Sequence, residues 1–402
     1  MKILQLCSKP PYPSVDGGTM AMHSITQGLL DQGCEVWVLS VETDKHPVKE
    51  LPEDYKERTH FQSVYIDLSV RPINAGVALL CGESYNVQRF ESKAFAAKLA
   101  SLLKRERFDV VHIESLFLAP YVPLIRKHSN AKVVLRAHNV EHQIWNRQAR
   151  QMPLGMKRWY FKKLALALRM YELEHINDFD SVICITQADA DYFKANGCKR
   201  RPVVLPFGIA SNKQPTAAAV EPASLYHLGS MDWLPNIESL DWFLDKVWPL
   251  LHKELPQVKL YLAGRKMPDL LLNLKEEGII VVGEVEDAQS FIATKQINIV
   301  PLRSGSGIRV KIIEAMAAGK AVVSTTIGAQ GIDFKEGTNI LIADTPEAFV
   351  EKIRYCVENP EAAQGIGHNA QALAQDRYDS KKLAQKLVDY YDRLCEKDET
   401  EA

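Results

Sequence analysis

Val300-Pro301-Leu302-Arg303-Ser304-Gly305-Ser306-Gly307-Ile308-Arg309-Val310-Lys311-Ile312-Ile313-Glu314-Ala315-Met316-Ala317-Ala318, continuing into Gly319-Lys320-Ala321-Val322-Val323, is the stretch from which the architecture reads outward. An apolar strand (Ile297, Ile299, Val300) runs into a loop holding Gly305 and Gly307, a helix opens near Arg309, and a second apolar strand starts at Ala321. Backbone N–H groups of a glycine-containing loop at a helix N-terminus form an anion site. Two cations, Arg309 and Lys311, are expected in the first turn, where the helix dipole disfavours them unless an anion lies between. Glu314 falls on one helical face with Val310, Ile313 and Ala317, and a carboxylate on an apolar face needs a partner. Phosphates at the helix start and sugar hydroxyls on Glu314 explain all three features; a solvated loop with Glu314 paired to a lysine is the alternative.

The chain has 402 residues, which predicts two domains of about 200 residues each. Composition is that of a soluble globular protein, with 46% apolar residues and net charge −1. Residues 1–205 carry 28 Lys+Arg against 22 Asp+Glu and the remainder 21 against 28, so a mildly basic half precedes an acidic one. Nothing in this points to nucleic acid. Seven cysteines lack metal-ligand spacing, and Cys7, Cys34 and Cys184 sit in apolar runs as small core residues. Met1-Lys2-Ile3-Leu4 begins a strand rather than a signal peptide, and no run reaches the roughly 18 apolar residues of a membrane span. The expected setting is cytoplasmic and reducing.

Working outward, strand Ile3–Cys7, the turn Pro10-Pro11-Tyr12-Pro13 to Gly17-Gly18, helix Thr19–Gln32 and strand Glu35–Val41 make a β-loop-α-β unit. Gly17-Gly18 lies at the carboxyl end of the first strand, where open α/β sheets bind ligands, and glycines there let a backbone approach a substrate. Further units follow: helix Glu91–Arg107, strand Val110–Ile113, helix Ala119–Lys127 and strand Lys132–Arg136, ending in Ala137-His138-Asn139. His138, just past a strand, suits the active edge, with His142 one turn later as competitor. Met156–Ile176 reads as a long helix interleaving Lys157, Arg158, Lys162, Lys163 and Arg169 with Trp159, Tyr160 and Phe161, a pattern for a membrane surface or for ordinary packing. The pairs Asp178/Asp180 and Asp189/Asp191 are discounted as metal ligands, because Asp189 pairs with Thr186 as a helix cap. Ser211–Pro222, without periodicity, is the expected linker. A second α/β series follows it, with Gly229-Ser230, Gly264-Arg265 and Gly283-Glu284 after its strands, and helices Pro346–Glu358, Glu361–Ala374 and Ser380–Lys397 close the chain.

Several of these segments together resemble the family-four retaining glycosyltransferases of GT-B architecture. They are Pro11-Tyr12-Pro13 to Gly17-Gly18, Arg136-Ala137-His138-Asn139-Val140-Glu141, Leu205-Pro206-Phe207-Gly208-Ile209, Gly229 to Asn236, Leu262-Ala263-Gly264-Arg265, Val282-Gly283-Glu284-Val285 and Glu314 to Val323. The fold class this implies is α/β, with two Rossmann-like domains facing across a cleft and a C-terminal helix crossing back to the N-terminal domain. The expected divisions are an acceptor-side domain over 1–210, a nucleotide-sugar domain over 223–378, and a helix and tail over 379–402. By the resemblance, Glu314 is the second glutamate of a Glu-x7-Glu motif and binds ribose hydroxyls. Gly283 to Val285 meet the base, and Gly17-Gly18 approach the diphosphate or sugar. His138, Gly18 and Arg309 form the catalytic set. Gly17, Gly229, Ser230, Arg265, Gly283, Val285, Ser306, Gly307, Ile308, Lys311 and Glu314 form the donor-binding set, and no metal is expected.

The first motif glutamate is replaced by Ser306, and the usual phosphate cations after Gly229 fall at Ser230 and Pro235. Arg309 and Lys311 supply that charge from the opposite loop. The implied activity is a metal-independent, retaining hexosyltransferase without cofactor, moving a sugar from a nucleotide-diphosphate sugar to a saccharide or lipid-linked acceptor. Its expected role is surface polysaccharide or glycoconjugate assembly, with peripheral contact at the cytoplasmic membrane face. The substitutions at Ser306, Ser230 and Pro235 leave a non-catalytic partner protein as one alternative; a sugar-nucleotide epimerase is another.

Overall fold

The computed structural model describes residues 1–14, 16–48, 50–209, 219–305 and 307–399. Ser306 and residues 211–218 of the expected linker lie outside them. The chain divides into two compact units, Met1–Gly208 with Ser380–Ala402, and Ile209–Asp379.

Strands β1 (Lys2–Cys7), β2 (Glu35–Glu42), β3 (Gln62–Tyr65), β4 (Val110–Ile113), β5 (Lys132–Ala137), β6 (Ser181–Cys184) and β7 (Val203–Val204) form the first sheet, in the order β3-β2-β1-β4-β5-β6-β7. Every pair in it is parallel, Ile3 for instance lying opposite both Val36 and Val110. β4 and β6 are buried along their whole length, as strands covered by helices on both faces must be. Leu4, Leu6, Leu39, Val111 and Leu135 pack on Phe95 and Leu99 of helix Lys93–Arg105. Ile3, Val36, Val38, Val110 and Val134 point the other way, onto Met22, Ile25 and Leu29 of helix Gly17–Asp31. Leu383, Leu387 and Tyr391 of the last helix, Ser380–Glu399, complete that second face, so the chain's end returns to its first unit. A Cβ on Gly28 would lie 2.7 Å from the Ala384 Cβ; the missing side chain lets the two helices cross closely.

The second unit repeats the plan. β8 (Ser224–Leu228), β9 (Lys259–Ala263), β10 (Ile279–Gly283), β11 (Ile297–Val300), β12 (Ala321–Ser324) and β13 (Leu341–Ile342) lie in the order β10-β9-β8-β11-β12-β13, all parallel. In each sheet the winding reverses beside the first strand, between β1 and β4 and between β8 and β11. A crevice opens there, outside the carboxyl ends of the strands, and open α/β sheets bind their ligands in it.

Some expectations change. Gly17 and Gly18 are the first residues of their helix rather than part of a loop, because Asp16 caps it: Thr19 N donates to Asp16 Oδ1 at 2.9 Å and Asp16 N to Thr19 Oγ1 at 2.9 Å. The helix expected over Ala119–Lys127 starts as a 3₁₀ turn at Leu116–Tyr121 and becomes α-helical only over Val122–His128, since Pro120 cannot donate within it. The helix expected near Ile237–Val247 runs Leu234–Trp242, widens into a π turn over Phe243–Val247 and resumes at Trp248–Glu254. Arg309 is the N-cap of helix Val310–Ala317 and not a first-turn residue. The buried face of that helix is Ile312, Ile313, Ala315 and Met316, while Val310, Glu314 and Ala317 are half-buried.

Candidate functional site

The crevice of the first unit is lined where β4 and β5 end. Glu114, one residue past β4, is fully enclosed and receives donors on both oxygens. Gln5 Nε2 donates to Oε1 at 2.7 Å, and His112 Nε2 stands 3.1 Å from the same oxygen. His138 Nε2 lies 2.8 Å and Arg136 Nη1 3.5 Å from Oε2. Burial raises the Glu114 pKa, but His112, Arg136 and the bond to His138 override it and hold the carboxyl well below its usual range. His138 is pushed below its ordinary value by burial, against the bond to Glu114. Arg136 Nη1 also donates to Ala21 O at 3.1 Å and Gln5 Nε2 to Met22 O at 3.4 Å, so one network ties the Gly17–Asp31 helix to the strand ends. At that helix's start, Lys9 Nζ pairs with Asp16 at 2.7 Å, and a Cβ on Gly17 would meet nothing within 4 Å. The Gly17 backbone is open to an approaching group.

His142, the competitor to His138, is buried between Glu172 (through Nδ1) and Tyr192 Oη, 2.9 Å from its Nε2. It is a packed structural histidine. Its neighbour Glu141 is pushed up to about 8 by burial and then by Glu172 and Asp189. Thr186 caps the helix at Asp189 as expected, Asp189 N donating to its Oγ1 at 3.1 Å.

In the second unit the loops after β8, β9 and β10 converge. Gly264 N donates to Gly283 O at 2.7 Å, Gly229 N to Ala263 O at 3.1 Å and Met231 N to Arg265 O at 2.9 Å. A Cβ on Gly264 would lie 1.7 Å from Gly229 O, and its φ of +153° adds strain for any other residue. Lys311 Nζ donates to Asn236 Oδ1 at 2.8 Å, and Asn236 Nδ2 to Ser230 O at 2.7 Å. A Cβ on Gly229 would stand 2.7 Å from Lys311 Nζ, so the glycine opens the space the ammonium occupies. Burial, then Arg309, pushes the Lys311 pKa down to about 7, against Glu314 one turn on. Burial pushes Glu314 up to about 7, against Lys311. Among the described residues the Glu314 carboxylate has no hydrogen-bond partner. Arg309 is 4% exposed, its Nη1 donating to Gly307 O at 2.6 Å and its guanidinium 5.4 Å over the Trp233 ring. It braces the glycine loop.

The structure thus brings together Gly229, Ser230, Gly283 and Lys311, with Arg309, Gly307 and Glu314 along the neighbouring loop and helix. Arg265 joins through its carbonyl while its side chain is exposed. Val285 and Ile308 are half-buried loop residues that make no side-chain hydrogen bond to this cluster among the described residues. Sequence reasoning missed Gln5, His112, Glu114 and Tyr391 in the first unit and Asn236 in the second. The usable signal was polar side chains inside apolar strand runs: Gln5 and His112 are each 0% exposed.

Residues 15–213 match the family described as Glycosyltransferase Family 4, and residues 222–359 match Glycosyl transferases group 1. An uncharacterized 44.6 kDa protein in the cps region of Klebsiella pneumoniae is 25% identical over 397 residues, covering 95% of this chain and 97% of its own. Among solved structures, Anabaena HepE in complex with UDP has 17% identity and a TM-score of 0.66, over 98% of this chain and 100% of its own. Sucrose-phosphate synthase from Thermosynechococcus elongatus has 18% identity and a TM-score of 0.66, over 98% and 99%. At these identities the likeness is one of fold, the GT-B fold of two parallel-sheet α/β domains.

Proposed function

Because the chain belongs to the group 1 glycosyltransferases, we propose that it moves a hexose, with retention of configuration, from a nucleotide-diphosphate sugar to an acceptor hydroxyl. The observation that carries this reading is the Lys311–Asn236–Gly229 cluster with Glu314 one turn beyond it. With its pKa brought down to about 7, Lys311 is fully charged again when an anion arrives, and charge-assisted bonds to a diphosphate are strong. In this reading Lys311 and Arg309, with Gly307 and Ile308 at the start of their helix, meet the diphosphate without a resident metal. Glu314 takes ribose hydroxyls, Gly229, Ser230 and Arg265 border the phosphates and sugar, and Gly283 to Val285 border the base. Gly17, Gly18 and His138 are assigned to the reacting sugar. The UDP complex of the Anabaena protein makes UDP the nucleotide to try first. The cps-region relative favours surface polysaccharide assembly.

Isothermal calorimetry with UDP and UDP-glucose, followed by a transfer assay, tests the proposal. Lys311→Ala is expected to weaken UDP by about 10–100-fold, the worth of one charge-assisted bond of roughly 1.5–3 kcal/mol. UDP binding unchanged in that variant removes Lys311 from the site. Tight UDP binding without transfer or donor hydrolysis favours a non-catalytic partner protein.

A lipid-linked acceptor fits the surface of the first unit. No helix among the described residues is long and apolar enough to cross a membrane. Helix Pro72–Cys81 carries no charged residue and exposes Ile73, Val77 and Leu80, the last 87% exposed. Its Ala75 and Ala78 share a small core with Leu164 of helix Met156–His175. That second helix exposes Met156, Trp159, Leu166 and Met170 beside Lys157, Lys162, Lys163 and Arg169. An apolar wedge flanked by cations suits an anionic bilayer on the cytoplasmic side, where each basic residue near the surface adds about 1 kcal/mol. Co-sedimentation with anionic vesicles is expected to drop in Ile73→Asp and Leu80→Asp. Equal binding to zwitterionic vesicles, or no effect of either change, removes the membrane contact.

A further inference from the structure

The groups behind His138 converge on one buried carboxylate, Glu114, and that fixes which nitrogens facing it carry hydrogen. Glu114 is ionised and only accepts, so each nitrogen facing it carries hydrogen. His112 therefore carries hydrogen on Nε2, 3.1 Å from Glu114 Oε1, and its Nδ1 meets the hydroxyl of Tyr391 from the returning C-terminal helix. Gln5 and Arg136 fill the remaining acceptor directions. His138 Nε2, 2.8 Å from Glu114 Oε2, must likewise carry hydrogen; a bare nitrogen there would set two lone pairs against each other. The inner members Gln5, His112, Arg136 and Tyr391 are no more than 1% exposed, so no solvent competes. The His138 side chain is 17% exposed, and its Nδ1 has no partner among the described residues.

We infer that Glu114 is a positioning residue which holds His138 with its proton on Nε2, so that Nδ1 faces outward as a hydrogen-bond acceptor for a sugar hydroxyl. A bare imidazole nitrogen accepts from a hydroxyl and repels a phosphate oxygen, so His138 selects the sugar and not the diphosphate. The identity of the ligand rests on the glycosyl-transfer reading above; the tautomer does not. Tyr391 and His112 hold Glu114 from behind, which makes the C-terminal helix part of the site's support.

Nitrogen-15 NMR of the full-length protein with labelled histidine, His138 being assigned by the signal lost in His138→Gln, tests this. In the ligand-free protein Nε2 is expected to resonate as a protonated, pyrrole-type nitrogen and Nδ1 as an unprotonated, pyridine-type one. UDP-glucose is expected to shift Nδ1, and UDP alone to leave it in place. Glu114→Gln is expected to average the two signals between tautomers, and Glu114→Asp, which keeps the charge, to restore part of the difference. A proton on Nδ1 in the native protein overturns the inference whether or not any variant folds. So does an unaltered His138 spectrum in a folded Glu114→Gln protein, or bound UDP-glucose that leaves Nδ1 unmoved. Absence of UDP-glucose binding by calorimetry overturns the glycosyl-transfer reading instead, while the ligand-free spectrum still decides the tautomer.

Discussion

Lys311 and Glu314 sit one helical turn apart, and burial drives both toward neutrality from opposite sides. Lys311 falls to about 7 from 10.5, so between those values the unfolded chain holds a proton that the folded chain lacks. Stability from this group is full above 10.5 and is lost as pH falls toward 7. Glu314 rises to about 7 from 4.5, so its contribution is present below 4.5 and is lost as pH climbs to 7. The pair together predicts a dip in the stability of the ligand-free protein near neutral pH. Urea unfolding at about pH 5, 7 and 9 checks this, with the dip expected to flatten in Lys311→Met/Glu314→Gln. A profile identical in the double variant removes the pair as its source. The same argument predicts that UDP binding above neutral pH takes up a proton, because the diphosphate recharges Lys311. Calorimetry in two buffers of different ionisation enthalpy reads that uptake directly. Glu314 and Lys311 stood out in the sequence as charges flanking a glycine loop on an apolar helix. Glu114 did not, since nothing local says that Gln5, His112, Arg136 and His138, each from its own position along the chain, meet on one carboxylate.

At the scale of elements, helix Glu141–Gln151 starts without a capping side chain of its own. Glu172, from helix Met156–His175, takes that place: its carboxylate accepts from Glu141 N at 2.9 Å and His142 N at 3.4 Å, and binds the His142 ring. At 1% exposure it cannot be replaced by water. Removing one partner of such a buried pair costs about 3–5 kcal/mol, and Glu172→Ala is expected to show that loss in its urea midpoint. Glu172→Gln, which keeps an acceptor oxygen, is expected to lose clearly less; a small, equal loss in both variants means that the carboxylate does not anchor the helix. Strands such as β4 and β11 were readable because burial on both faces demands unbroken apolar runs. The segment between β2 and β4 was not. Glu53–Thr59 and the four-residue β3 are too short for a period to show, and Pro72–Cys81, with Asn74 as its one polar side chain, has no polar face to mark it. The Gly17-Gly18 helix start resembles a turn in sequence because its capping box uses Thr19 where glutamate or glutamine is the usual signal.

At the scale of the whole molecule, the chain leaves its first unit at Gly208 and re-enters it at Ser380. The alternating α/β rhythm, with glycines after the strands, was enough to predict two parallel sheets, since βα units wind right-handed and side by side. The resemblance implied that the last helix returns to the first domain; which groove it fills there was not readable, because an amphipathic helix fits any apolar groove. It lies on the Gly17–Asp31 helix, with Leu383, Leu387 and Tyr391 buried among Met22, Ile25 and Leu29. Burying such side chains stabilises by about 1.5–3 kcal/mol each, so losing three removes an amount comparable to the whole margin of a domain, about 5–15 kcal/mol. Tyr391 also holds the His112 end of the Glu114 network, so its loss leaves a buried imidazole without its hydroxyl. Truncation after Asp379 is therefore expected to unfold the first unit and spare the second, whose cluster around Leu225, Leu262 and Val323 draws on nothing beyond that residue among the described residues. Hydrogen exchange on the truncated protein should show amides of β1, β4 and β5 unprotected and those of β8, β11 and β12 still slow. Protection retained in β1 and β4 after truncation means that the first sheet holds without its C-terminal helix.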